Sequence, residues 1–357
     1  MKGLILAGGS GTRLRPLTHT GPKQLIPIAN KPNILYCLED LRDSGVIDIG
    51  IILGNNMPEK VREMLGDGSS FGVKITYIVQ GEPRGIAHAV GCAEEFMNGE
   101  PFVVYLGDNI LKGGINYMVD DFKKGDWEGM VALCPVDTPQ KFGIAELDEK
   151  GEIVSLVEKP KEPRSNLALI GIYLLKPSIF PIIKKLKPSW RNELEITDAI
   201  DELRKETNKV SARVVRGWWK DTGMPEDILL ANHLVLEDLE GEISGTVEEG
   251  VTIIGRVSIG EGSIVRQGAV VRGPVIIGKN CEIGPNTYVG PYTAIGDGTR
   301  LLSGEIESSI IIGDCLIDCG RKVVESLIGG GCTILSNQGR LPKGMRFVIG
   351  ENSRLDL

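Results

Sequence analysis

LILAGGSGTRLRPLTHTGPKQLIP, residues 4–27, joins an apolar run to a glycine turn and then to spaced cations. Residues 3–7, Gly-Leu-Ile-Leu-Ala, show no polar alternation and read as a strand buried on both faces of a parallel sheet. The strand runs straight into Gly8, Gly9, Ser10 and Gly11. Without side chains, such a loop approaches a polyphosphate closely and donates backbone N–H groups to it, while Arg13 and Lys23 bring charge. The spacing fits neither G-x-x-x-x-G-K-[ST] nor a strict G-x-G-x-x-G, so the turn alone reads equally well as a structural one.

Outward from this segment, short apolar runs alternate with amphipathic stretches as far as about residue 235. Strands are expected at 3–7, 47–53, 73–79, 102–106, 129–135, 143–147 and 167–175, and helices at 34–44, 58–65, 86–97 and 196–205. That alternation predicts an α/β domain with an open Rossmann-like mixed sheet and ligands at the carboxyl ends of its strands. Gly107-Asp108-Asn109 follows the 102–106 run as the glycine loop follows the first, so both are expected to face one crevice.

After residue 242 the pattern changes. An aliphatic residue returns every six positions at Ile253, Ile259, Val265, Val271, Ile277, Ile283, Val289, Ile295 and Leu301, with small or β-branched residues two places before it. A period of six suits a coil with three flat sides whose aliphatic residues stack inward, turn upon turn. The repeat loosens after Leu301, with echoes at Ile312-Gly313 and Ile328-Gly329, and 344–357 is expected to cap the open end. The expected domains are 1–240 and 241–357.

Composition narrows the function. At 41% hydrophobic and 25% charged, with a net charge of −8, the chain has no general attraction for nucleic acid or anionic membranes, so a polyanion must meet local cations. No apolar stretch reaches the ~20 residues of a membrane span, and a cytoplasmic protein is expected. The seven cysteines are scattered without C-x-x-C pairs and read as reduced, packed thiols. The histidines, His19, His88 and His233, have no serine or cysteine partner by motif, which argues against a nucleophilic triad.

Individually, the remaining candidates are ambiguous. Asp108 after its strand reads as a turn aspartate, Glu158-Lys159 as an exposed charge pair and Gln80 as a solvated glutamine. Together they gain meaning. G-G-x-G-T-R-L-x-P-x-T followed by Pro22-Lys23-Gln24-Leu25, with Trp219-Lys220-Asp221-Thr222-Gly223 and the string from Pro188 to Asp198, resembles the sugar-1-phosphate nucleotidylyltransferases. Within them the similarity runs to the long glucose-1-phosphate thymidylyltransferases, which end in a left-handed parallel β-helix. Asn192 stands where that string usually has glycine.

The resemblance implies transfer of a nucleotidyl group from dTTP to glucose-1-phosphate, giving dTDP-glucose and pyrophosphate. It implies charge-stabilising roles for Arg13, Lys23 and Lys159, and nucleotide contacts at Leu6, Ala7, Gly8, Gly9, Gly11, Thr12, Gln24, Gln80 and Gly85. Sugar contacts fall to Asn109, Gly143, Glu158 and Leu169, and Asp108 with Asp221 would hold Mg²⁺, a cation that prefers oxygen ligands and keeps several waters. The repeat domain is expected to build a homo-oligomer. Three rivals remain: a uridylyltransferase or other sugar-1-phosphate nucleotidylyltransferase, a sugar acyltransferase, and a silent regulatory subunit. The repeat domain contains no histidine, which counts against acyl transfer.

Overall fold

The computed structural model describes residues 1–336 and 349–355. The chain forms two compact units: Met1–Gly11, Thr20–Leu25 and Asn33–Asp221 make the first, and Thr12–His19, Ile26–Pro32 and Thr222–Leu357 the second.

In the first unit a mixed sheet runs Ile153–Glu158, Gly143–Leu147, Leu167–Leu175, Phe102–Leu106, Lys2–Ala7, Asp48–Leu53, Lys74–Val79. Lys2–Ala7 lies parallel to both neighbours, whereas Leu167–Leu175 runs antiparallel to Phe102–Leu106 and to Gly129–Pro135. Side chains alternate across the sheet: Leu4, Leu6, Phe102 and Val104 enter one core, and Ile5, Ala7, Val103 and Tyr105 the other. Both faces are covered, which is why these strands carry uninterrupted apolar runs.

The helices follow from their buried stripes. Asn33–Asp43 buries Ile34, Cys37, Leu38 and Leu41, and Ile196–Thr207 buries Ile196, Ala199, Ile200 and Leu203, each on one helical face. The single helix expected at 86–97 is two, Ile86–Gly91 and Glu94–Met97. The Ala93 N–H bonds the Val90 carbonyl, a tighter turn than the α pattern, just after a glycine that favours helix poorly.

In the second unit, strands stack in parallel with partners 18 residues on: Thr246 lies beside Ile264, Val257 beside Val275 and Val275 beside Thr293. Three sides of six residues make one turn. Ile259, Val265, Val271, Ile277, Ile283, Val289, Ile295 and Leu301 are buried in one cluster, as the six-residue period predicts. Gly260 has a steric reason to be glycine, since a Cβ there would sit 2.6 Å from the Gly278 carbonyl carbon in the next turn. Beyond Leu301 the period shortens: Leu301 pairs with Ile317 and Ile311 with Ile328. Of the expected cap, 344–348 and 356–357 lie outside the described residues.

Helix Pro225–Leu236 also belongs to the second unit. Its buried Asn232 accepts from the Ala29 N–H at 2.9 Å and donates to the Tyr292 carbonyl at 2.9 Å, while Asn30 donates to the Ile295 carbonyl at 2.8 Å. Among the described residues, no helix is long and apolar enough to cross a membrane.

Candidate active site

Three parallel strands of the first unit end side by side, and their loops build the candidate site. After Lys2–Ala7, Gly8 packs so closely on the next loop that a Cβ on Gly54 would lie 2.2 Å from the Gly8 carbonyl oxygen. Gly9 lies against Lys23 and Gln24: its missing Cβ would be 3.1 Å from Lys23 Cε and 3.9 Å from Gln24 Nε2. Glycine is thus what lets the lysine lie along the loop. After Phe102–Leu106, the Gly107 N–H bonds the Leu6 carbonyl at 3.0 Å, tying the two strand ends together and setting Asp108 beside the loop.

Asp108 is buried and accepts hydrogen bonds from Lys23 Nζ and, at 3.1 Å, from Asn109 Nδ2. Burial pushes its carboxyl upward, but the Lys23 ammonium and the amide outweigh this and hold it below the usual carboxylate range. Asp221 arrives from a distant part of the sequence. The short strand Trp219–Asp221 pairs antiparallel with Asn109–Leu111, and Asp221 stands opposite Asn109. Two carboxylates therefore occupy neighbouring backbone positions.

The fit to a cation can be read from these donors. Among the described residues no three acidic, histidine or cysteine side chains gather at a point, and the carboxylates available here are those of Asp108 and Asp221. A small divalent cation that keeps water and takes substrate oxygens matches that pair.

A second cluster lies where Gly143–Leu147, Ile153–Glu158 and helix Ile196–Thr207 meet. Glu158 pairs with Gly143, and its Oε2 accepts from Thr197 Oγ1 at 2.7 Å. A Cβ on Gly143 would lie 2.5 Å from that hydroxyl and 3.0 Å from Glu158 Oε2, so only glycine leaves room for their hydrogen bond. Lys159 Nζ and Arg191 Nη1 stand 3.8 and 3.6 Å from Glu158 Oε1. Burial, assisted by Glu195, still pushes the Glu158 carboxyl above its ordinary value. Leu169 is buried on the neighbouring strand.

Trp219 connects the two clusters. Its Nε1 donates to Asn109 Oδ1 at 2.6 Å, and its ring meets Phe142, the residue before Gly143, edge-on at 5.6 Å between centroids. At the far strand end, Gln80 is buried beside Gly85, whose φ is 102° and whose missing Cβ would be 2.5 Å from the Leu194 carbonyl oxygen. No residue but glycine fits there.

The structure thus gathers Leu6, Ala7, Gly8, Gly9, Gly11, Lys23, Gln24, Gln80, Gly85, Asp108, Asn109, Gly143, Glu158, Lys159, Leu169 and Asp221 into the first unit. Thr12 and Arg13 are exposed on the turn Thr12–Leu14 of the second unit, whose Leu14 is buried. Sequence reasoning did not single out Trp219, Thr197 or Arg191 as site residues. All three sit inside strings it quoted, and only the fold pairs them with Asn109 and Glu158. Asn192 has φ 60°, the left-handed backbone that the usual glycine serves and asparagine tolerates.

Comparison with known proteins gives the family. The nucleotidyl transferase model matches residues 2–238. The chain belongs to the nucleotidyl transferase family. Over its full length it is 52% identical to the low-salt glycan biosynthesis nucleotidyltransferase Agl11 of Haloferax volcanii, covering all of both chains. A glucose-1-phosphate thymidylyltransferase of Streptomyces antibioticus is 44% identical over 100% of this chain and 99% of its own. Among solved structures, a candidate glucose-1-phosphate thymidylyltransferase from Bacillus anthracis, in complex with sucrose, is 40% identical, with a TM-score of 0.64 over 68% of this chain and 97% of its own. The resemblance carried by the sequence motifs therefore holds along the whole chain of this nucleotidyl transferase.

Proposed function

We propose that this sugar-1-phosphate nucleotidyltransferase joins dTTP to glucose-1-phosphate, forming dTDP-glucose and releasing pyrophosphate. The observation that carries this reading is the pairing of Asn109–Leu111 with Trp219–Asp221, which sets Asp108 and Asp221 side by side next to Lys23 and the glycine loop. Family membership and the full-length relatives support the reaction class.

Two anions must meet for this reaction, and their repulsion is the first obstacle. Lys23 beside the loop and Lys159 beside Glu158 supply charge where the triphosphate and the sugar phosphate would lie. Arg13 enters on its motif alone. Asp108 and Asp221 would hold Mg²⁺, which when bound neutralises phosphate oxygens. Asp108 stays ionised for that task because Lys23 and Asn109 stabilise its charged form. The sugar phosphate is already ionised near neutral pH and attacks the α-phosphorus in line without a general base. The chain's work is positioning: Glu158 accepts from sugar hydroxyls, the Gly143 and Leu169 backbones border the ring, and Asn109 adds an amide.

UTP is the second reading for the base, since Gln80 and Gly85 meet an edge that thymine and uracil share. A buried methyl discriminates by only ~1–3 kcal/mol, so some use of UTP is expected. We assign nucleotidyl transfer to 1–240 and, to the coil of 241–357, a left-handed winding and assembly into a cytoplasmic homo-oligomer. Offering each nucleoside triphosphate with glucose-1-phosphate and measuring pyrophosphate tests the assignment. A strong purine preference overturns it.

A further inference from the structure

Gln80 is buried at the end of strand Lys74–Val79, with its amide nitrogen 3.4 Å from the Gly85 carbonyl oxygen and 3.2 Å from His88 Nδ1. On the other side of that imidazole, Arg84 Nη2 lies 2.9 Å from Nε2. The two contacts compete for one ring proton. A guanidinium has no acceptor, so Arg84 fills Nε2 only when Nδ1 carries the proton, and the Gln80 amide fills Nδ1 only when Nε2 carries it.

The Gly85 carbonyl decides between them. It can only accept, so the end of the buried Gln80 amide that faces it, and faces His88 Nδ1 as well, is the NH2, whereas Arg84 is exposed and exchanges the imidazole for water at little cost. The ring therefore carries its proton on Nε2, and His88 Nδ1 and the Gly85 carbonyl each accept one amide hydrogen. That orientation turns Gln80 Oε1 toward the glycine loop, 2.6 Å from the point a Cβ on Gly8 would take.

An amide is nearly symmetric in shape, so a glutamine held by nothing offers a ligand either an acceptor or a donor. Thymine and uracil present N3–H to such a group; cytosine presents a bare N3 beside an amino group. We propose that His88 is a positioning residue for base selection: by accepting an amide hydrogen it locks Gln80 with Oε1 toward the nucleotide, favouring pyrimidines that carry N3–H over cytosine. This rests on Gln80 being the base-reading residue.

Protonation weakens the lock, because an imidazolium donates from both nitrogens and no longer accepts from the Gln80 amide. The groups facing the ring are the Arg84 guanidinium and the Cys92 thiol, 3.9 Å from Nε2. Burial, then Arg84, holds the imidazole below the usual histidine range, so the lock is closed at neutral pH and weakens in acid.

The test is kcat/KM for dTTP and for CTP with glucose-1-phosphate, measured on the full chain between about pH 5 and pH 8. His88→Leu lowers the dTTP-to-CTP ratio roughly tenfold, the scale of one lost hydrogen bond, with the loss in KM more than in kcat. His88→Asn, whose Oδ1 takes the place of Nδ1, restores the ratio and makes it independent of pH, while the wild-type ratio falls in acid. An unchanged ratio in His88→Leu, no restoration by His88→Asn, or a wild-type ratio flat with pH overturns the proposal. Gln80→Ala separates the two levels. If it keeps the wild-type ratio, the base-reading role of Gln80 is wrong; if it abolishes the ratio while His88→Leu keeps it, only the role of His88 is.

Discussion

Asp108 and Glu158 are carboxyls moved in opposite directions by their surroundings, and each movement has a measurable result. Lys23 and Asn109 keep Asp108 charged, so Asp108→Asn removes an anion from the site while leaving a side chain of the same shape. Turnover is expected to fall ~10²–10³-fold, as it does when one charge-stabilising contact is lost, and Asp221→Asn should match it. Near-normal rates of pyrophosphate release at low Mg²⁺ in both variants would refute the metal assignment. Glu158 has the contrary linkage. Its carboxyl is raised above 4.5 by burial, so its contribution to stability is full below that value and is lost as pH rises through the higher folded value. Glu158→Gln, which keeps an acceptor for Thr197, should therefore melt at a higher temperature than wild type at neutral pH and without that advantage near pH 4, while losing affinity for the sugar phosphate. A wild-type melting curve at both pH values would show that burial does not govern this group.

At the scale of elements, the strands were legible because both sheet faces are buried, which leaves runs such as Leu4 to Ala7 with no polar interruption. The repeat was legible because one interior position recurs at fixed spacing and admits only aliphatic side chains. The pairing that builds the site was not. Trp219–Asp221 is three residues long, too short for a periodic signal, and Trp219 reaches Asn109 across 110 residues of sequence. Thr197 was hidden for a similar reason: it lies on a helix face that reads as core, yet its hydroxyl bonds Glu158 from 39 positions away. Trp219→Phe keeps the ring against Phe142 and deletes the bond to Asn109, so turnover should drop by about tenfold, in line with one hydrogen bond to a positioned amide, with the fold retained. Circular dichroism and kcat measured together separate this from general disruption. Asn232 makes a parallel case. Asn232→Ala takes their side-chain partner from the half-buried Ala29 N–H and Tyr292 carbonyl, an expected loss of about 1 kcal/mol, read from urea unfolding.

For the whole molecule, the two compact units do not follow chain order. Thr12–His19 and Ile26–Pro32 fold with helix Pro225–Leu236 and the coil, though they flank the lysine-bearing Thr20–Leu25 in sequence. A boundary at 240 was the natural reading, because composition changes there; nothing in a loop's composition announces that it packs with residues two hundred positions away. Cutting at 240 removes Tyr292 and Ile295, the coil partners of Asn232 and Asn30. The truncated chain should form smaller oligomers and melt at lower temperature, and light scattering after size exclusion checks the first of these. An oligomer of unchanged size after truncation would contradict the assembly role of the coil. The reaction is measured most directly as pyrophosphate release by the full chain given glucose-1-phosphate and each nucleoside triphosphate in turn, with the nucleotide sugar identified by mass. The expected result is dTDP-glucose in amounts equal to the pyrophosphate, with dTTP used best and UTP next; a preference for ATP or GTP, or no pyrophosphate with any pyrimidine nucleotide, would contradict the proposed reaction.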